Sequence, residues 1–178
     1  MAFKKILVAI DRSSQAPVVF EQALDLAQVE ESQLMLFHCI DPESQAETIP
    51  FIGTVTEVDL YETLHRLQQE HLQQELEKAR DWLQSYCQKA SLKNSSTEFD
   101  CIVGDPNRRI CELAKSWDAD LIVLGRRGYR GLSEFFLGSV SNYVLHHASC
   151  SVLVVQQELS PTPEPVGIAT QSTTDTSL

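Results

Sequence analysis

A chain of 178 residues is long enough for one domain with a sizeable core and too short for two comfortable ones. Its formal net charge of −11 opposes a nucleic-acid partner, which needs a basic face, and no apolar run approaches the roughly 18 residues that mark a membrane helix. The cysteines (Cys39, Cys87, Cys101, Cys111, Cys150) are odd in number, scattered and never spaced Cys-x-x-Cys, which fits reduced thiols and a cytoplasmic location rather than disulfides or a zinc site.

The first apolar run, Lys5–Ile10, stops at Asp11 and reads as a strand rather than a signal sequence. Ala16, Val19, Phe20, Ala23 and Ala27 then fall on one helical face, with Ser13 or Ser14 as the expected cap. Gln33–Ile40 is the second strand; His38 within it reads as a satisfied core or edge histidine. The stretch over residues 41–60 is an irregular insertion that leads into strong helix formers over about 57–90. There Leu72, Leu76, Ala79, Leu83 and Tyr86 repeat at spacings of four and three, an amphipathic stripe. That stripe suits a long helix packed on a sheet; its glutamine-rich opposite face leaves a partner-binding extension as the alternative.

Glu98–Val103 is a weaker, alternating strand. Asp105-Pro106 reads as an N-cap followed by proline at the first helical position, opening a helix with Ile110, Ala114 and Trp117 on one face. Leu121–Leu124 is the fourth strand, Val140, Val144, Leu145 and Ala148 mark the last helix, and Ser151–Val155 is the closing strand. The domain therefore spans residues 1–157. Residues 158–178 carry almost no apolar material and are expected to stay disordered.

Strand and helix in alternation imply βαβ units, an α/β fold with a parallel sheet flanked by helices on both faces. Ligands of such sheets sit beyond the carboxyl ends of the strands, near a topological switch point. Asp11, Cys39, Gly104 and Gly125 all lie at such ends. Asp11 has the alternative use of capping the first helix, and Cys39 is expected to matter through its main chain, because a buried thiol is inert.

The stretch Gly125 to Ser139 is the most informative one. It carries Gly125, Gly128 and Gly138 together with Arg126, Arg127 and Arg130, and no acidic residue lies between Leu121 and Ser133. Glycine permits positive φ and close approach of a ligand to the backbone. Gly138-Ser139 opens a helix whose first amides and partial positive charge favour phosphate. The plainer alternative is a strand-to-helix connection that only needs pliable residues. His146-His147 tempts a metal reading, but neighbours on a helix point about 100° apart and cannot easily share an ion. A P-loop would need Gly-x-x-x-x-Gly-Lys-Ser/Thr and a dinucleotide site Gly-x-Gly-x-x-Gly; the chain has neither.

Gly125-Arg-Arg-Gly128, then residues 129–137, then Gly138-Ser139 resemble the glycine motif of the universal stress protein family. Lys4-Lys5-Ile-Leu-Val-Ala-Ile-Asp11, Phe37-His-Cys-Ile-Asp41, Val103-Gly-Asp-Pro106 and Ala148-Ser-Cys-Ser-Val-Leu-Val-Val155 extend the resemblance over roughly residues 1–156. The resemblance implies a single five-stranded parallel sheet, Rossmann-like and of the adenine nucleotide alpha hydrolase-like type, paired into a homodimer. It further implies ATP or AMP as ligand, with Mg2+ accompanying ATP. Gly125, Arg126, Arg127, Gly128, Gly138 and Ser139 would cradle phosphates and ribose, and the amides of Val140 and Ser141 would continue the cradle. Asp11 would lie beside the ribose or a metal-bound water, the backbone of Cys39 would pair with the adenine edge, and Gly104 would leave room for the ring or ribose. Ala9 stands where some nucleotide binders of the family carry proline and can also wall an adenine pocket. The 41–60 insertion has no counterpart. The function implied is that of a nucleotide-binding regulatory module of the stress response; a slow ATP hydrolase and a nucleotide-free dimerisation adaptor are the alternatives. No lysine in the glycine motif stands ready for a γ-phosphate, which favours the module. The closing strand, residues 151–156, supplies the expected dimer contact, since an apolar edge strand needs a cover.

Overall fold

In a computed structural model, which describes residues 3–42, 57–93, 95–126 and 137–156, all five apolar runs become strands of one sheet. They are β1 (Lys5–Ala9), β2 (Gln33–Ile40), β3 (Thr97–Val103), β4 (Leu121–Gly125) and β5 (Ser151–Val155). The helices α1 (Ala16–Glu30), α2 (Glu57–Leu92), α3 (Pro106–Ser116) and α4 (Ser139–His147) connect them. Every pairing is parallel and the order is β3-β2-β1-β4-β5. The chain runs outward from β1 to β3, then returns to the other side of β1 for β4 and β5. The switch point therefore lies between β1 and β4. Most of the 41–60 insertion and the whole 158–178 tail lie outside the described residues.

Successive side chains on a strand point to opposite faces, and β1 feeds a core on each. Ile6 and Val8 pack with Phe20, Leu24 and Leu83 beneath α1 and α2, whereas Leu7 packs with Ile110, Ala114 and Val144 beneath α3 and α4. Two covered faces explain why β1 and β2 read as nearly unbroken apolar runs. Among the described residues no helix is long and apolar enough to cross a membrane.

The stripe on α2 packs as its spacing predicts, with Ala79 and Leu83 fully buried. The helix is longer than that contact requires. Its 36 residues span about 54 Å, against about 26 Å for the eight residues of β2. Because α2 carries the chain from the carboxyl end of β2 to the amino end of β3, its N-terminal part projects past the carboxyl edge. Leu67 there is 52% exposed. The stretch from Leu72 to Ala90 thus packs on the sheet as the first alternative expects.

Two local expectations need correction. Gln15, not Ser13 or Ser14, occupies the cap position of α1 and makes no side-chain cap bond. Ser13 Oγ instead accepts from Gln15 N at 3.3 Å, while Asp11 Oδ1 accepts from Ser13 N at 3.1 Å, two consecutive turns that carry the chain off β1. Leu145, on the expected buried face of α4, is 46% exposed. By contrast, Asp105 caps α3 as its sequence suggests, accepting from Asn107 N at 3.0 Å ahead of Pro106.

Candidate functional site at the carboxyl edge

Sheet register brings the expected positions to one edge. Ala9 lies beside Phe37 of β2 on one side and Leu124 of β4 on the other, so Asp11 emerges next to Gly125 and Arg126 at the switch point. Ile40 lies beside Val103, and Gly104 N donates to Ile40 O at 3.0 Å, which places Gly104 next to the end of β2. Ala9, Asp11, Cys39, Gly104, Gly125 and Arg126 are all half-buried.

The β4–α4 connection is anchored at its base. Arg126 N donates to Val155 O at 2.8 Å, and Gly138 N donates to Arg126 O at 2.8 Å, so chain exit and re-entry meet. The hydroxyl of Ser141, 2% exposed, reaches Arg126 O at 2.9 Å and Gly138 O at 3.0 Å. Sequence reasoning assigned Ser141 an amide role only; its hydroxyl is a clamp, a role that its place one turn inside the helix could have suggested. The first helical bond of α4 runs from Asn142 N to Gly138 O at 2.9 Å. The amides of Ser139, Val140 and Ser141 precede it and have no acceptor within the helix. No side-chain cap bond and no acidic residue occupy that first turn. The end of α4 is therefore electropositive and uncapped, and what it can do chemically is hold an anion.

Gly138 itself sits at φ −60° and ψ 155°, which any residue adopts. Positive φ is not the reason for glycine there. It is the reason at Gly104, with φ +154°. A Cβ at Gly104 would lie 2.9 Å from Arg109 Nε. Arg109, which also pairs with Glu112 at 3.0 Å, is thus a neighbour of the site that sequence reasoning missed; its place one turn into the Asp105-capped helix was the available signal. Arg127 and Gly128 lie outside the described residues.

Under this edge, His38 ties β2 to the chain leaving β1. Its Nδ1–H donates to Ile10 O at 2.9 Å, and its ring meets the edge of Trp82 at 5.4 Å. Burial, helped by the Arg12 charge, holds the imidazole below its ordinary pKa, while the Ile10 carbonyl and Asp11 oppose that shift. A buried neutral imidazole stabilises the fold fully above the unfolded value of about 6.5, and that contribution falls as pH drops below it. His38→Gln should therefore cost less stability at pH 5 than at pH 7.5, measured as the difference in urea midpoint from the wild type. Burial also pushes the Cys39 thiol up to about 12, and its Sγ–H donates to Gly104 O at 3.3 Å.

The remaining histidine pair is not part of this edge. His147 Nδ1 bonds Tyr143 O at 2.8 Å and its ring stacks on Tyr143 at 3.9 Å, at the far end of α4. Among the described residues no three His, Cys, Asp or Glu side chains cluster as a metal site. Among the described residues, Asp11 is the carboxylate that follows β1 at the switch point.

Comparison with known proteins agrees with this geometry. The model described as the universal stress protein family matches residues 2–156. The chain is 49% identical over 158 residues to universal stress protein Sll1388 of Synechocystis sp., covering 88% of this chain and 99% of that protein. Among solved structures, universal stress protein UspA from Lactobacillus plantarum is similar at a TM-score of 0.70 and 27% identity, covering 87% of this chain and 99% of its own. A universal stress protein solved in complex with cAMP shares the fold at a TM-score of 0.57 and 20% identity, over 87% and 98% of the two chains.

Proposed function

Because the chain belongs to the universal stress protein family, we propose that it is a cytoplasmic regulatory module that binds ATP or AMP at the carboxyl edge of its sheet and works as a homodimer. The observation that carries this reading is the uncapped start of α4, clamped to Arg126 through Gly138 and Ser141 at the same edge as Asp11. In this reading the amides of Ser139, Val140 and Ser141 take the phosphates, with Gly125, Arg126, Arg127 and Gly128 alongside. Asp11 takes the ribose, and Mg2+ accompanying ATP would find the same carboxylate. Ala9, the Cys39 backbone and Gly104 wall the adenine. The cAMP held by one protein of the same fold supports an adenine nucleotide as the class of ligand.

A thermal-shift panel of ATP, AMP, GTP and inorganic phosphate tests the reading. A ligand that binds only the folded state at about a hundredfold its Kd stabilises by about 2.7 kcal/mol. ATP or AMP should reach that gain, with GTP and phosphate well below. Equal shifts for all four would reduce the site to an anion hole. Phosphate release measured on the same samples should stay far under the roughly 10 per second of a median enzyme, since gripping ground and transition states equally gives no acceleration. Fast release that is lost in Asp11→Asn would make the protein a hydrolase.

The homodimer reading rests on β5, the sheet edge next to β4. An uncovered strand edge invites pairing, and the same strand of a second copy satisfies both edges about a two-fold axis. Val154 packs toward the α3–α4 core, whereas Leu153 is 38% exposed. Leu153→Lys should accordingly yield folded monomers by light scattering. A dimer unaffected by that change would place the interface elsewhere.

A further inference from the structure

We propose that the groove between α1 and α2 is a second binding site, for a small planar anion of the aromatic carboxylate class. The groove is an open surface cleft of about 460 Å3, within the volume range of small-molecule sites. It opens on the face covered by α1 and α2, whereas the start of α4 belongs to the opposite face. The proposal stands independently of nucleotide binding.

One wall is aromatic and rigid. Trp82 meets Tyr86 edge-on at 5.3 Å and His38 at 5.4 Å, and Tyr86 in turn meets Phe20 at 4.7 Å. Pro17 of α1 forms part of the facing wall. A flat ring can enter such a slot without ordering new side chains, because these rings are already fixed by one another.

The polar end carries two cations on one carboxylate. Glu75 Oε2 pairs with Arg12 Nη1 at 3.1 Å, and its Oε1 with Lys78 Nζ at 2.8 Å. Hydrogen bonding from Lys78 holds the Glu75 carboxyl below its usual range, so the trio carries a net positive charge in a chain of net −11. A guanidinium has five N–H donors and an ammonium three. Glu75 takes one from each among the described residues. A second carboxylate can therefore join the same cations, with its ring against Trp82 and Tyr86. A neutral ring would gain the wall but not the cations, and a plain carboxylate the cations but not the wall.

Calorimetric titration with indole-3-acetate, indole-3-acetamide and acetate tests this, together with the shift of the Trp82 indole N–H resonance. The acid should bind about tenfold tighter than the amide, the worth of one charge-assisted hydrogen bond, and acetate should be weaker than either. Saturating ATP should leave the titration unchanged. Arg12→Gln and Lys78→Gln should each weaken the acid, whereas Glu75→Gln should tighten it by removing the competing carboxylate. The last variant guards against misreading a folding defect, since a damaged groove cannot bind better. Equal affinity for acid and amide, an unmoved Trp82 resonance, or weaker binding by Glu75→Gln would overturn the proposal.

Discussion

Leu83→Ala should cost about 2–5 kcal/mol of stability, while the same change at Leu67 should cost less than about 0.5 kcal/mol. Both leucines belong to α2 and share its helix propensity, so the difference isolates packing. Leu83 is fully buried among β-strand and α1 side chains, and its removal leaves a cavity that a sheet with two covered faces cannot easily collapse. Leu67 is 52% exposed on the projecting half. Urea denaturation of the two variants, with slopes compared, checks this. A large loss at Leu67 would mean that the projecting half is covered in solution.

Gly104→Val should lose about 1–3 kcal/mol from backbone strain and abolish adenine-nucleotide binding as well. The clash with Arg109 Nε at 2.9 Å can be relieved, since that side chain is flexible and its pairing with Glu112 is exposed and worth little. The φ of +154° cannot be relieved without moving the turn that leads from β3 into α3. A β-branched side chain would also crowd the carboxyl edge on the side where Arg109 lies. Gly138→Ala separates the two effects: at φ −60° it should leave the denaturation midpoint almost unchanged. Calorimetry on both folded variants reads the site, and denaturation reads the strain. Full nucleotide affinity in Gly104→Val would move the adenine away from β2 and β3.

Much of the fold was legible because strand signals and burial coincide in a doubly covered sheet. The runs 33–40 and 151–155 became β2 and β5 without adjustment. Elsewhere the backbone overrode the letters. Ser13 is a good capping residue on composition, yet it serves the turn out of β1, and Gln15 stands at the helix start. Leu145 fits the helical period of α4, but that short helix at one side of the sheet has too little partner surface to bury it. At the site, Asp11, Gly104 and the start of α4 could be placed from spacing alone, because each terminates or begins an element. The Arg12–Glu75 pairing could not, since the two residues are 63 apart in sequence and meet only where α2 passes the turn between β1 and α1. Nor could the Ser141 clamp, which depends on where the chain leaves β4.

That clamp has a consequence for how this fold varies. Arg126 and Gly138 are joined by one hydrogen bond, and Ser141 holds both carbonyls. The entropy of bringing the two ends together is thus met by the scaffold, not by a ligand. Loop-closure entropy grows only with the logarithm of length, so even doubling the intervening segment would add about 0.6 kcal/mol. In closure entropy, changes of length between these two residues therefore come at little cost, and descendants of this chain can lengthen or shorten that stretch while keeping the same sheet.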